Sequence, residues 1–255
     1  MIHEKNNPIL KKINSVNVNS SINSISIFPS GIFILILDNR SIILYNINFE
    51  ILQEIKNAHS LQINQIIFYS NNIISCSQDN TIKIWEIQNE NYQNITILTH
   101  SNYINSILLL QDKKILISSG WDGTKFWDFK TYELLFFLED CFCIYWNVLK
   151  RINDDNIIIG GSKMSNMKII SIKEKKVIKE IQSPFLSWGI YIIKNMNLFL
   201  VGGNSKNIII YSTENLECIQ IIENAHNNDI MGFIQLKNNS IISYSKDLTL
   251  GIWSF

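Results

Sequence analysis

The chain has few of the residues that usually cross-link a protein or interrupt its strands and helices. Its 255 residues include only four cysteines, three prolines, ten glycines and two alanines. Four irregularly spaced cysteines do not make a disulfide framework in a chain of this length, which predicts a reduced, intracellular protein, cytoplasmic or nuclear. Because proline and glycine are scarce, asparagine must supply many of the turns, since it tolerates a left-handed backbone.

The chain also lacks an excess of charge and any long apolar run. Its 22 basic residues balance its 22 acidic ones, so nothing in its charge favours a nucleic-acid partner. The apolar stretches fall far short of the roughly 18 residues that a membrane-spanning helix needs. Residues 1–13 are too polar for a signal peptide. We therefore expect no membrane span.

Isoleucine and asparagine, with 52 and 33 copies, carry little information because they are so frequent. A hydrophobic content of 46% is too high for a disordered chain. The apolar runs are short, rich in isoleucine and aromatic residues, and separated by polar turns without a helical period. This pattern predicts many short strands and few helices.

A unit of about 42 residues repeats along the whole chain. Its clearest copies are CSQDNTIKIWE, SGWDGTKFWD and YSKDLTLGIWS, each a turn centred on Asp followed by a strand ending in Trp. Six units fill residues 1–255, which predicts a single domain. The expected turn residues recur at intervals of 40–43 residues and are Asp38, Asp79, Asp122, Ser165, Ser205 and Asp247.

These repeats resemble those of the WD-repeat (WD40) β-propellers, which have a Gly-His near the start and a Trp-Asp at the end. The matching pairs are Ala58-His59, Thr99-His100, Ala225-His226, Trp85-Glu86, Trp127-Asp128 and Trp253-Ser254. The resemblance implies an all-β fold, a six-bladed β-propeller of four-stranded antiparallel sheets. The expected blades are approximately residues 15–57, 58–98, 99–140, 141–183, 184–224, and 225–255 together with 8–14.

Closure of the ring is expected to involve the N-terminal segment. The last repeat ends two residues after Trp253, which leaves it only three strands of its own. Residues 9–13 match residues 51–55, an expected outer strand, in pattern. We therefore expect the N-terminal strand to complete the last blade and remove its open edge. The alternative is a gapped ring that a partner's strand completes.

The resemblance implies that three repeats contain a hydrogen-bond relay of His, Ser, Asp and Trp. The expected relays are His59–Ser75–Asp79–Trp85, His100–Ser118–Asp122–Trp127 and His226–Ser243–Asp247–Trp253. A Ser-His-Asp set also suggests a hydrolase triad. An enzyme needs one such site, however, whereas a repeat scaffold needs the same stabilising contact in several repeats. We interpret the relays as structural, with the first, fourth and fifth blades held by packing alone.

Other chemistry finds little support in the sequence. No glycine-rich phosphate loop is present, and the pair Cys141-x-Cys143 lacks the spacing of metal ligands. We therefore expect no catalytic residue, no cofactor and no metal.

Four aromatic residues outside the repeat pattern are candidate partner-binding residues. In the family that the chain resembles, their positions surround the mouth of the central channel, where partners commonly dock. Tryptophan and tyrosine also dominate the energetics of interfaces. The alternative is that these rings fill space between blades that lack the relay. The four are Tyr103, Trp121, Trp146 and Trp188.

The sequence thus predicts a non-catalytic scaffold or adaptor for protein–protein contact, with a protein partner of unknown identity. One alternative is a ubiquitin-ligase substrate receptor. Residues Trp127-Asp128-Phe129-Lys130 resemble the Trp-Asp-x-Arg signature by which some WD-repeat proteins dock onto ubiquitin-ligase adaptors, with Lys in place of Arg. A coat or cage subunit is a further alternative. An enzyme with its site at the channel mouth is the remaining one.

Overall fold

The structure is a computed structural model that describes residues 22–27, 32–38, 40–70, 72–88, 91–145, 148–161, 166–236 and 239–254. In these ranges the chain forms β-strands joined by turns, with one 3-10 helix at Lys194–Met196. The expectation of an all-β fold is therefore confirmed. No helix in the described ranges is long and apolar enough to cross a membrane.

The strands form antiparallel sheets in chain order, which we number 1 to 6. Within the described residues, sheets 1 to 5 have four strands each and sheet 6 has three. Sheets 1 to 3 contain β1 (Ile22–Ile27), β2 (Phe33–Leu37), β3 (Ile42–Tyr45), β4 (Ile51–Ile55), β5 (Ile63–Tyr69), β6 (Asn72–Ser77), β7 (Thr81–Gln88), β8 (Asn91–Thr99), β9 (Ile104–Leu110), β10 (Ile115–Gly120), β11 (Thr124–Asp128) and β12 (Leu134–Leu138). Sheets 4 to 6 contain β13 (Leu149–Arg151), β14 (Asn156–Ile159), β15 (Asn166–Ser171), β16 (Lys176–Gln182), β17 (Ser187–Ile193), β18 (Leu198–Gly203), β19 (Ile208–Ser212), β20 (Cys218–Ile222), β21 (Ile230–Gln235), β22 (Ile241–Ser245) and β23 (Leu250–Trp253). The expected closing strand at residues 9–13 lies outside the described residues.

The core lies between neighbouring sheets, so that a sheet is buried on both faces. In β6, Ile73 packs in one cluster with Ile36 of sheet 1, whereas the adjacent Ile74 packs in another with Leu116 of sheet 3. Successive side chains of a strand point to opposite faces, and a strand buried on both faces reads as a continuous apolar run. This arrangement accounts for the isoleucine pairs and triplets in the sequence.

The first strand of each sheet lies against the first strand of the next, from β1 through β5, β9, β13 and β17 to β21. Five of these strands carry a β-bulge near their start, where one extra residue is inserted into the pairing. A bulge breaks the alternation of a strand and aims a side chain in a new direction. The inserted residues are Asn23, Asn64, Asn105, Trp188 and Met231.

The turn between β2 and β3 corrects one assignment made from the sequence. In sheet 2, Asn80 has a left-handed φ of 67° and directly follows Asp79, whereas in sheet 1 the left-handed residue, Arg40 at 68°, comes two positions after Asp38. The strand registers of the two sheets agree with this offset. Asp38 therefore lies one residue too early to match Asp79 and corresponds instead to Gln78.

Candidate interaction face and hydrogen-bond relays

The first expected relay forms one chain of hydrogen bonds in sheet 2. Nδ1 of His59 lies 2.9 Å from Oδ2 of Asp79, and Nε2 lies 2.8 Å from Oγ of Ser75. Nε1 of Trp85 donates to the same Oγ at 2.9 Å. Strands β6 and β7 carry Ser75 and Trp85, the turn between them carries Asp79, and His59 precedes β5.

Sheets 3 and 6 contain the same arrangement. In sheet 3, His100 lies 2.6 Å from Asp122 and 2.7 Å from Ser118, and Trp127 donates to Ser118 at 2.8 Å. In sheet 6, His226 lies 3.1 Å from Asp247 and 2.7 Å from Ser243, and Trp253 donates to Ser243 at 2.8 Å.

The bonding partners fix where the protons lie. An indole nitrogen can only donate, so Trp85 occupies an acceptor site of Ser75, and the hydroxyl of Ser75 donates to Nε2 of His59. Nδ1 of His59 then carries the proton donated to Asp79. This assignment follows from the network. Each buried side-chain polar atom of this relay is therefore paired, as stability requires.

The relays have the contacts of a Ser-His-Asp triad but not its accessibility. Ser75, Ser118 and Ser243 are 0% exposed, and each Oγ is held between an imidazole and an indole. A nucleophilic serine must reach the carbonyl carbon of a substrate. These three hydroxyls have no open path to one.

Burial sets the protonation of the relays. Desolvation lowers the pKa of His59 and His100, and this effect outweighs the opposite effect of their aspartate partners. Burial alone would raise the pKa of Asp122, but hydrogen bonds from His100 and Ser101 hold it at about 2. The imidazoles of His59 and His100 are therefore neutral and the Asp122 carboxylate is ionised near neutral pH.

The turn aspartates have further partners that the sequence analysis missed. Asp79 accepts hydrogen bonds from N of Ser60 at 2.9 Å and from Oγ1 of Thr81 at 2.6 Å, and Thr249 repeats the threonine bond in sheet 6. The Asp-x-Thr triplet, which recurs in three repeats, is the sequence signal for this threonine bond. In sheet 3 the equivalent Thr124 bonds elsewhere, to the carbonyl oxygen of Cys141.

Two sheets without a relay contain a stacked aromatic pair instead. Tyr45 and Tyr211 occupy the position of the relay tryptophan in sheets 1 and 5. Each stacks on the phenylalanine paired with it in the preceding strand: Phe33 at a centroid distance of 5.1 Å and Phe199 at 5.0 Å. Stacked rings combine burial with a favourable ring geometry.

A lysine two residues before the tryptophan position makes the same backbone contact in sheets 2, 3 and 4. Its Nζ donates to the carbonyl oxygen of the residue at the position before the relay histidine. Sheet 4 keeps this bond although it has no relay. The bonds are Lys83 to Ala58 at 2.7 Å, Lys125 to Thr99 at 2.9 Å and Lys168 to Asp140 at 2.7 Å.

We call the side of the structure that carries the aspartate turns the turn face. Two of the candidate aromatic residues are exposed there, Tyr103 at 42% and Trp121 at 44%, and N of Trp121 donates to the carbonyl of Tyr103 at 3.0 Å. Trp188 is half-buried, with its ring 5.3 Å from that of Tyr145. Trp146 lies outside the described residues.

Backbone hydrogen bonds connect the segment that carries Tyr145 with sheet 3 and with Gly161 of sheet 4. N of Cys143 donates to the carbonyl of Gly120, beside Trp121, and N of Ile144 donates to the carbonyl of Gly161. We call Tyr103, Trp121, Tyr145 and Trp188 the aromatic arc. Tyr145 was not a candidate from the sequence, because it occupies no repeat position.

Amide side chains hold neighbouring sheets together at the bulges of sheets 2 and 3. Nδ2 of Asn64 donates to the carbonyl of Ile104 at 2.8 Å, and Nδ2 of Asn105 donates to that of Cys143 at 2.9 Å. Trp188 occupies this position in sheet 5. Over its ring, 4.4 Å from the centroid, lies Nζ of Lys246.

Metal ligation has no support in the described ranges, where no group of three or more His, Cys, Asp or Glu side chains is arranged to hold an ion.

Comparison with known proteins gives matches to repeats, to sequences and to folds. Residues 50–86 and 92–128 match the family model of the WD domain, G-beta repeat. The chain is 24% identical over 118 residues to DDB1- and CUL4-associated factor 10 of Xenopus laevis, covering 45% of this chain and 26% of that protein. The human protein of the same name is 29% identical over 83 residues, covering 32% and 15%. The chain thus spans about a quarter or less of these relatives.

Two solved structures share the fold. A chain in the crystal structure of the mitotic checkpoint complex has a TM-score of 0.81 at 14% identity, covering 94% of this chain and 76% of that one. The computationally designed Ika8 protein has a TM-score of 0.72 at 21% identity, covering 92% and 71%. The resemblance to WD-repeat β-propellers is confirmed.

Acidification is expected to lower the melting temperature of the protein. The folded-state pKa values of His59 and His100 lie below the ordinary 6.5, so below that pH the unfolded chain binds more protons than the folded one. Their contribution to stability is complete above 6.5 and is lost as the pH falls. Thermal unfolding followed from about pH 8 to about pH 5 measures it. A melting temperature that stays constant or rises on acidification would contradict the neutral imidazoles.

Proposed function

Because this chain carries WD40 repeats within a β-propeller fold, we propose that it is a non-catalytic scaffold for protein–protein contact. Its partner surface is the turn face. The proposal places it inside the cell, in the cytoplasm or nucleus, without a cofactor, metal or nucleic acid.

One observation supports this proposal: the polar side chains of the relays are buried, whereas the exposed candidate residues are aromatic. The three serines of the relays are inaccessible. The His, Ser and Asp residues that resemble a catalytic triad therefore stabilise the fold instead. The exposed rings of Tyr103 and Trp121 lie beside the relay of sheet 3, whose Asp122 also accepts a hydrogen bond from N of Ser101 at 2.7 Å. Rigid, exposed aromatic rings are the usual anchors of protein interfaces.

Affinity capture with quantitative mass spectrometry tests the turn face. The double variant Tyr103→Ala and Trp121→Ala is expected to lose captured proteins by about tenfold or more, because it removes two anchors. The control is Phe49→Ala, in the turn between β3 and β4, which removes a ring that is 48% exposed and should leave capture unchanged. Equal capture by all forms would contradict the surface. Labelling of a relay serine by a fluorophosphonate probe would contradict the non-catalytic role.

A ubiquitin-ligase substrate receptor is a more specific candidate. It is supported by the relatives named DDB1- and CUL4-associated factor 10 and by the geometry of residues 127–130. Trp127 is buried, while Oδ1 of Asp128 accepts hydrogen bonds from N of Lys130 at 2.7 Å and N of Thr131 at 2.9 Å. This turn presents the exposed Lys130 to a partner.

Binding to purified DDB1 tests this candidate. We expect Lys130→Glu to weaken binding by about tenfold, since it reverses a charge at the contact, and Lys173→Glu, at an exposed lysine of sheet 4, to leave it unchanged. Biolayer interferometry gives both constants. No binding at micromolar concentrations would reject the candidate but not the scaffold.

We further propose that the six sheets form six blades and that residues 8–14 complete the sixth. In the described residues β23 pairs only with β22. Leu250 and Ile252 of β23 are 67% and 74% exposed. A cavity lined by Ile210, Ile222 and Trp253 lies between sheets 5 and 6, where side chains of a fourth strand would insert.

Hydrogen exchange of two truncations tests the closure. Removing residues 1–14 should speed exchange about tenfold at the β23 amides that do not bond to β22, because their acceptors are lost. Removing only residues 1–7 spares the strand and should leave exchange unchanged. Equal exchange in both truncations would contradict the proposal, because residues 8–14 would then not cover the free edge of β23.

A further inference from the structure

The outer strand of sheet 3, β12, forms an edge of its sheet and has no polar side chain. Within the described residues β12 pairs only with β11. Of the five outer strands described in sheets 1 to 5, the other four each contain polar or charged residues: β4 reads ILQEI, β8 NYQNITILT, β16 KVIKEIQ and β20 CIQII, whereas β12 reads LLFFL. Natural edges are usually protected by charged side chains, because their N–H and C=O groups can pair with another chain.

The backbone of β12 does not distinguish it from the other outer strands. In each of sheets 1 to 5 a bulge shifts the register between the third and fourth strands. A bulge weakens pairing at an edge, and all five outer strands share it. The apolar composition of β12 is therefore the feature that sets its edge apart.

Three side chains of β12 are exposed on this edge. The exposed fractions are 48% for Leu134, 42% for Leu135 and 39% for Phe137. Phe136, between the last two, packs against the core and stacks on Phe126 with a centroid distance of 3.9 Å. The stacked ring fixes the strand, so the exposed side chains form one contiguous apolar patch. Such patches mark interaction sites, whereas single exposed apolar residues need no explanation.

Acidic residues stand at both ends of β12. Glu133 precedes the strand, Glu139 and Asp140 follow it, and all three are exposed. Nζ of Lys125 and Nζ of Lys175 lie over rings of β12, 5.4 and 5.7 Å from their centroids, and so over its faces rather than at its ends. The ends of the edge are therefore negative and its middle is apolar.

A second copy of this chain fits this edge poorly. In an antiparallel pair of β12 strands centred on Phe136, Glu133 of each chain would lie opposite Glu139 of the other. In a parallel pair in register, each acidic residue would lie beside its own copy. Like charges directly opposite each other destabilise a strand pair. The complementary occupant is a different chain, apolar in the middle and basic at both ends.

We propose that β12 binds an extended segment of a partner protein by strand addition. The main chain of the segment forms hydrogen bonds with the outer edge of β12, and its apolar side chains pack beside Leu135 and Phe137. Lysine or arginine residues at its ends pair with Glu133 and Glu139. The inference adds a second surface to the proposed scaffold function, and this surface does not include the aromatic residues of the turn face.

The experiment titrates the protein, labelled with nitrogen-15, with the peptide Arg-Lys-Val-Ile-Val-Ile-Lys-Arg and follows the backbone amide signals by NMR. N-methyl groups on alternate apolar residues of the peptide block one of its edges and prevent its self-association. The signals of residues 134–138 should shift, while those of β16 and β20 stay in place. Hydrogen exchange at amides of β12 should slow by about tenfold, since an added strand protects them.

Two control peptides separate strand addition from general stickiness. One carries N-methyl groups on all four apolar residues, which removes their main-chain donors but keeps the side chains and the charge, and it should not bind. The other has glutamate in place of every basic residue. It should bind about tenfold more weakly, because its ends meet the acidic ends of β12.

Variants at exposed positions locate the contact. Leu135→Lys places a charge on the edge and should weaken binding of the basic peptide about tenfold. The matched control is Ile178→Lys in β16, where the side chain is also 42% exposed, and it should bind as the wild type does. Glu139→Lys should weaken binding of the basic peptide and strengthen binding of the acidic one.

Four results would overturn the proposal. They are unmoved β12 signals at millimolar peptide, equal binding of the fully methylated peptide, equal binding by Leu135→Lys, and self-association of the wild type that Leu135→Lys abolishes, which would assign the edge to a second copy. The turn face is tested separately, because the Tyr103→Ala and Trp121→Ala double variant should bind the peptide like the wild type. Peptide binding together with capture that ignores those two rings would reject the turn face alone.

Discussion

Each sheet depends on its neighbours because its two faces are both apolar and both need cover. Ile73 and Ile74, adjacent in one strand, belong to different clusters and contact different sheets. A sheet of this kind has no core of its own and gains stability only by stacking. The repeat length, the short turns and the abundance of isoleucine all follow from this one requirement.

The sheets then differ in how they hold the end of the third strand. Sheets 2, 3 and 6 use the His–Ser–Asp–Trp relay, sheets 1 and 5 use a stacked Tyr–Phe pair, and sheet 4 has neither but keeps the lysine bond to the preceding backbone. These solutions share a location and not a chemistry. The indole donor is what separates a relay from a triad, since it occupies the oxygen that catalysis would need.

Much of this was readable from the sequence because the repeat places equivalent residues at equal spacing. Trp85, Trp127 and Trp253 gave the register, and the histidines followed from it. Asp38 was assigned one position too late because the turn has Asp and Asn side by side, and only the strand pairing distinguishes them. Tyr145 could not be found, because its contact with Trp188 joins segments of two sheets and has no counterpart in other repeats.

The lysine bond and the stacked pairs also have regular signals in the sequence, which the sequence-based prediction did not include. Lys83, Lys125 and Lys168 stand at the same distance before the tryptophan position, and Phe33 and Phe199 at the same distance before their tyrosines. Both signals are regular. Neither belongs to the Gly-His and Trp-Asp pairs that define the repeat.

The bulge at the start of the first strand of a sheet frees one side chain from the packing between sheets, to which a regular strand would commit it. The residues on either side of the inserted one remain paired, although the register shifts by one there, so the inserted side chain can vary without unpairing the residues that pack between sheets. In sheet 2 the position holds an amide that joins the next sheet, and in sheet 5 it holds an indole. New recognition chemistry can therefore arise by single substitutions at the rim while the core stays as it is.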